Sequence, residues 1–239
     1  ETSNTNPIGP AFAAIMAAAE VFVHDFPSLN KPCALNAFTW KLGAPGLDLP
    51  EIEQQPDIGD AWVVGTGSVG TAILYFLTFA TRRLKVALFD HDRVEIHNLD
   101  RSPIFTNDQI EWHKVRATEA YLREAGVTEI TTEHSPLHDA REWSRRQQGI
   151  PDLLISATNE FKVRYTIETG YPPIQLYGTT GQHWQAAIIR HIPMRGACSC
   201  CVFPDETLTP TRCATAEVTI PNEEKRVDAA LPFLSFAAG

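Results

Sequence analysis

"WVVGTGSVGTAILYFL", residues 62–77, decides the fold. An apolar run ends in Gly65, Gly67 and Gly70, spaced G-x-G-x-x-G, and a second apolar run of helical character follows. A strand, a tight turn and a helix in that order build a backbone cradle for phosphate. The first glycine permits the turn, the second lets the main chain approach a phosphate, and the third lets helix and strand pack closely. The helix N-terminus adds free N–H groups and the positive end of its dipole. Asp90 closes the next apolar run, at the separation where an acid meets a ribose hydroxyl.

Outward from this turn, short apolar runs alternate with longer amphipathic ones. We expect strands at 61–64, 85–89, 129–133, 152–156, 174–177 and 185–192, and helices at 69–81, 114–125 and 159–168. That alternation predicts an α/β, Rossmann-like fold, a mostly parallel twisted sheet with helices on both faces. Residues 59–239 then form one nucleotide-binding domain. Its last stretch, "AALPFLSFAAG", reads as the opening of an apolar helix with no polar close, so the domain is expected to continue. Residues 1–58 form a separate segment, a remnant inactive subdomain or a dimer arm. It holds a helix at 6–26, begun by Asn6 with Pro7 in the first turn, then a Pro- and Gly-rich loop with one short strand at 37–41.

The 239 residues are 44% hydrophobic and 21% charged, an ordinary globular composition. A net charge of −9 argues against a nucleic-acid partner, whose backbone rewards clustered Lys and Arg. The apolar stretches 7–23 and 71–81 are too short or too broken to span a bilayer, so no membrane partner is expected. Of five cysteines, four lie between 198 and 213. A disulfide framework would spread an even set along the chain. The cluster points instead to a reducing cytoplasm and to metal or nucleophile chemistry.

The stretch after the acid, "DHDRVEIHNLDRSPIFTNDQIEWHK" at 90–114, narrows the chemistry. The glycine fingerprint alone leaves an NAD-dependent Rossmann oxidoreductase open, but such an enzyme has no need of this density of polar groups. Asp90 and Asp92 are acidic, and Asn98, Arg101 and Lys114 add an amide and two cations. Arg forks onto phosphate oxygens and Lys acts as a point charge. Together they suit a triphosphate whose charge must be stabilised as pyrophosphate leaves. Taken singly, each is also a solvated surface charge.

The run "VVGTGSVG…LFDHDRVEIHNLDR…K…LLISATNEFKVRY…IQLYGTTG…CSCCVFP" resembles the E1-like, ThiF/MoeB-type adenylyltransferases, over residues 60–239. The N-terminal "NPIGPAFAAIMAAAEVF" is similar to the E1-like proteins of bacterial ubiquitin-like conjugation operons, which implies a setting in antiphage defence. The resemblance implies ATP with Mg²⁺, a ubiquitin-like or sulfur-carrier protein whose C-terminal carboxylate attacks the α-phosphate, and an acyl adenylate product. It also implies an E2-like conjugating partner and a homodimer. Carried over residue by residue, Gly65, Gly67 and Gly70 form the nucleotide turn, Asp90 holds the ribose, and Asn98, Arg101 and Lys114 contact the triphosphate.

One position departs from the family. Asn159, in "SATNEF", stands where relatives carry an Asp that helps hold Mg²⁺. Asn keeps an oxygen ligand and loses the charge that hard cations favour. Either Asp90 or Asp92 compensates, or adenylation is slow, or the chain is a scaffold. Arg164, in "FKVRY", matches a recurrent family arginine or is a helix-surface charge. By resemblance, Cys198 and Cys201 join a second pair around Zn²⁺; the residues alone equally fit a redox pair or buried thiols. Cys213, in "PTRCATAEVTIP", resembles the catalytic cysteine that accepts the carrier as a thioester, and also fits a metal ligand or an inert thiol.

Overall fold

The computed structural model describes residues 10–11, 13–15, 17, 35–36, 41–42, 57–81, 83–135, 149–158, 160–170, 172–180 and 186–203. The described positions between 10 and 17 are helical, within the helix expected at 6–26. Around the short strand expected at 37–41, β1 (Leu35–Asn36) pairs antiparallel with β2 (Lys41–Leu42). Positions 37–40, where most of that strand was expected, lie outside the described residues.

The main sheet has six strands: β3 (Asp57–Val64), β4 (Arg83–Phe89), β5 (Glu129–Glu133), β6 (Leu153–Ser156), β7 (Gln175–Thr180) and β8 (Ala186–His191). Their spatial order is β5-β4-β3-β6-β7-β8, parallel throughout except for the β7–β8 pair. Among the described residues three helices cover it: α1 (Ser68–Ala80), α2 (Lys114–Glu124) and α3 (Phe161–Gly170). The α/β, Rossmann-like architecture expected from the alternation is present.

Side chains alternate across a strand, so each strand feeds two cores. Trp62, Val64, Phe89 and Leu154 point to one face and meet Val163 and Ile167 of α3. Ala61, Val63, Leu88 and Ile155 point to the other and meet Leu74 of α1 and Val115 and Leu122 of α2. Burial of each such large side chain contributes roughly 1.5–3 kcal/mol. Helix α2 shows its logic in sequence. Val115, Thr118 and Leu122 recur at helical spacing and are buried. Gly126, at φ +90°, then ends it, with the Val127 N–H returning to the Leu122 carbonyl at 2.9 Å.

Strand β3 starts four residues before the apolar run that announces it. "DIGD" reads as loop because it lacks apolar alternation, yet its backbone pairs with β4 across a register shift. Gly59 takes φ +67° in that irregular stretch, and the Asp60 carboxylate meets Lys85 Nζ at 2.6 Å.

The chain lays down β3, β4 and β5 in one direction and then crosses back to place β6 on the other side of β3. A crevice therefore opens beyond the carboxyl ends of β3 and β6, where Val64 and Ser156 are partners. Open parallel sheets bind ligands at this switch point.

Candidate nucleotide-binding site

The turn leaving β3 divides its work among three glycines. Gly65 has φ +90°, and its N–H donates to the Phe89 carbonyl at 2.8 Å. A Cβ there would stand 2.9 Å from the carbonyl oxygen of Ala157, in the loop after β6. A Cβ on Gly70 would run into the carbonyl oxygen of Gly65, so this glycine lets α1 lie against the turn. At Gly67 a Cβ would meet nothing within 4 Å. Gly67 caps α1 with no side-chain hydrogen bond and lines the crevice. The first-turn N–H groups of α1 are thus left without a side-chain cap, the arrangement that receives anions.

Asp90 follows β4 and is buried. Its Oδ2 accepts from the Thr66 N–H at 2.7 Å and the Thr66 hydroxyl at 3.0 Å, and its Oδ1 accepts from the Asp92 N–H at 2.9 Å. The acid therefore braces the glycine turn from inside while lining the crevice. Thr66 escaped the sequence reading. Its only signal was a hydroxyl residue between the first two glycines, and the bond it makes spans 24 positions.

Lys114, first residue of α2, is buried at 8% exposure and reaches the Asp92 carboxylate with Nζ at 2.8 Å. Its own N–H donates to the Asp92 carbonyl at 2.9 Å. The Lys114 hydrogen bond holds the Asp92 carboxyl below its ordinary range. The second Asp92 oxygen faces His91 Nε2 at 3.3 Å. Asp90, His91 and Asp92 bring ligand atoms within 4.8 Å of one another, the one such group among the described residues. Two carboxylates in that set fit a hard cation such as Mg²⁺.

The crevice is walled by Gly65, Gly67, Asp90, Asp92 and Lys114, together with Thr158 and Glu160. Neither of the last two was singled out in the sequence. The Thr158 hydroxyl accepts from the Glu160 N–H at 3.2 Å at the entry to α3. Asn98 and Arg101 are placed outside this wall. Asn98 is buried in a short turn at Ile96–Asn98, where its Oδ1 accepts from the Glu95 N–H at 2.9 Å. Arg101 is exposed. Asn159 and Cys213 lie outside the described residues.

Arg164 is buried in α3, with its guanidinium 5.5 Å from the centre of the Phe203 ring, so it is no helix-surface charge. Cys198 caps a single turn, α4 (Ser199–Val202), and Cys201 lies within it, with their sulfurs 3.4 Å apart. Cys201 is exposed, and its hydrogen bond with Cys198 pushes its thiol up. Cys200, between them, is half-buried, and burial raises its thiol as well. Two sulfurs turned toward one point fit half of a tetrahedral zinc set.

The model of the ThiF family matches residues 56–231, the glycine turn, the crevice and the cysteine turn included. The chain belongs to the ThiF family. Among curated relatives of this ThiF-family chain, the bacterial E1-like protein BilD of Collimonas is 26% identical over 190 residues, 74% of this chain and 40% of BilD. The sulfur carrier protein adenylyltransferase of Thermus thermophilus is 26% identical over 165 residues, 65% of this chain and 59% of that protein. The chain thus spans between two fifths and three fifths of these two proteins. The crystal structure of Escherichia coli MccB with ATP superposes with a TM-score of 0.53 at 16% identity, over 75% of this chain and 56% of MccB. At that identity the likeness concerns the fold. Among the described residues no helix is long and apolar enough to cross a membrane.

Proposed function

We propose that this chain is the ATP-binding part of an E1-like adenylyltransferase, with residues 59–239 as its adenylation domain. The observation that carries the reading is Gly67, unobstructed at its Cβ position and lining a crevice that also holds Asp90 and Lys114. A phosphate seated there meets the first-turn N–H groups of α1. Asp90 accepts from the ribose hydroxyls while still holding Thr66. Lys114 exchanges Asp92 for phosphate oxygens. Arg101 and Asn98 belong to the same reading, as side chains that approach the triphosphate when it is bound. Asp92, with Asn159, would hold a magnesium ion, which would supply charge neutralisation at the phosphates.

The reaction is attack by a carrier protein's C-terminal carboxylate on the α-phosphate, with pyrophosphate leaving. Lys114 stabilises the charge that develops there, a donor role whose removal costs on the order of 10²–10³ in rate. The carrier is a ubiquitin-like protein, and the Cys213 thiolate then attacks the carbonyl of the acyl adenylate, breaking the acyl–phosphate bond, releasing AMP and leaving a thioester for an E2-like partner. Homodimerisation, for which residues 1–58 are the candidate arm, and a cytoplasmic location complete the proposal. Cys198 and Cys201 are read as zinc ligands.

A second reading has its own support. The Thermus relative, named a sulfur carrier protein adenylyltransferase, is 26% identical, as BilD is, which supports a sulfur carrier as the alternative substrate of the same crevice. ATP–pyrophosphate exchange tests what both share: it is expected only when a carrier with a free C-terminal carboxylate is added. No exchange with carriers of either class leaves the chain a scaffold. A reducible adduct with the carrier that is lost in Cys213→Ala selects thioester transfer.

A further inference from the structure

Away from the crevice, one carboxylate collects donors from three elements. Glu168, on α3, accepts at Oε1 from the Tyr177 hydroxyl at 2.9 Å, the Ser199 N–H at 3.0 Å and the Ser199 hydroxyl at 2.8 Å. Its Oε2 faces His191 Nε2 of β8 at 3.5 Å. Turning the Gln175 amide so that its nitrogen faces Glu168 adds a donor at 3.3 Å. Gln175, Tyr177, His191 and Ser199 are all buried. Ser199 is the residue immediately after Cys198 in the Cys198–Cys201 turn.

A one-turn helix cannot hold its own geometry, because nucleating a turn costs more than its single ring of hydrogen bonds returns. The shape of 198–201 is therefore imposed from outside. Glu168 imposes it by satisfying both donors of the buried Ser199, and Arg164, one turn earlier on α3, adds the ring contact to Phe203. Without the carboxylate, those two Ser199 donors lose their partner in a dry site and the turn must open toward water. The 3.4 Å approach of the two sulfurs then has nothing to maintain it.

We propose that Glu168 is a positioning residue for the Cys198–Cys201 pair, presetting the two sulfurs to act together on one thiophilic centre. This rests on, and deepens, the reading of that pair as zinc ligands. Groups that orient metal ligands in this way typically carry about 10- to 100-fold in affinity.

The test uses the full chain, reduced and stripped of metal, and a monosubstituted trivalent arsenical, which closes a ring on two neighbouring thiols. One equivalent is expected to bind, with loss in Cys198→Ser and Cys201→Ser and no change in Cys200→Ser. Glu168→Ala, which removes the acceptor, is expected to weaken capture by about 10- to 100-fold, and Glu168→Gln, which keeps an oxygen able to accept from Ser199, to recover part of it. A residue that merely stabilised the sheet would lower Tm and leave the affinity of the folded protein alone. Wild-type capture by folded Glu168→Ala overturns the proposal, as does failure of the wild type to bind. If Glu168→Ala does not fold, Ser199→Ala decides: weaker capture supports the proposal and unchanged capture overturns it. Zinc content, measured separately, keeps the two readings apart, since a zinc-free chain with intact arsenical capture removes zinc and leaves Glu168 in its role.

Discussion

Gly67 and Gly70 stand three residues apart and are held for opposite reasons. Gly67 adopts φ −75°, open to any residue, and faces space. Gly67→Ala should leave stability within about 0.5 kcal/mol while raising the KM for ATP at least about tenfold, because the added methyl occupies the approach to phosphate. Gly70→Ala places a methyl against the Gly65 carbonyl oxygen and should destabilise by roughly 1–3 kcal/mol. Urea melts and exchange kinetics on the two variants separate the roles. These glycines were legible in sequence because a tight strand–turn–helix junction is local: its spacing is its geometry. Thr66 was not, since its meaning comes from a carboxylate 24 residues away.

The start of α2 carries the cation of the site, and that element's place on the sheet decides where Lys114 points. Val115 and Leu122 bury the helix in the core it shares with β4 and β5, and its first residue is tied by its N–H to the Asp92 carbonyl just past β4. Lys114→Met keeps the stem and removes the charge; pyrophosphate exchange should fall by about 10²–10³ while circular dichroism is unchanged. The pair with Asp92 also gives a pH dependence. The Asp92 carboxyl is depressed below 3.8 in the folded state, chiefly by the Lys114 hydrogen bond. Its contribution to stability is therefore fully present above the unfolded pKa and is lost as pH falls through the lower folded value. In Asp92→Asn the acid limb of stability below pH 3.8 should be shallower than in wild type, read from thermal midpoints across that range. Element type and order were readable from periodicity. The early start of β3 was not, because the "DIGD" backbone joins the sheet without the apolar alternation that marks a strand.

Across the whole molecule, ligand binding and folding are linked. If the crevice holds ATP, nucleotide at a hundred times its Kd should stabilise the chain by about 2.7 kcal/mol, raising Tm by roughly 5–10 °C for a domain of this size. The shift should be small in Lys114→Met, and its absence in wild type would remove the nucleotide from the proposal. What the amino-acid sequence determined unaided is the α/β class, the glycine turn and the acid that follows it, because strand and helix periods and tight turns are written in residues close together. Which side chains share the crevice was decided only in three dimensions. The order β5-β4-β3-β6-β7-β8 brings Thr158 and Glu160 to the same crevice as Lys114 and leaves Asn98 and Arg101 off the wall. The same packing puts Glu168 beneath the cysteine turn. Such meetings depend on how apolar faces stack helices on a sheet, and no local spacing records them.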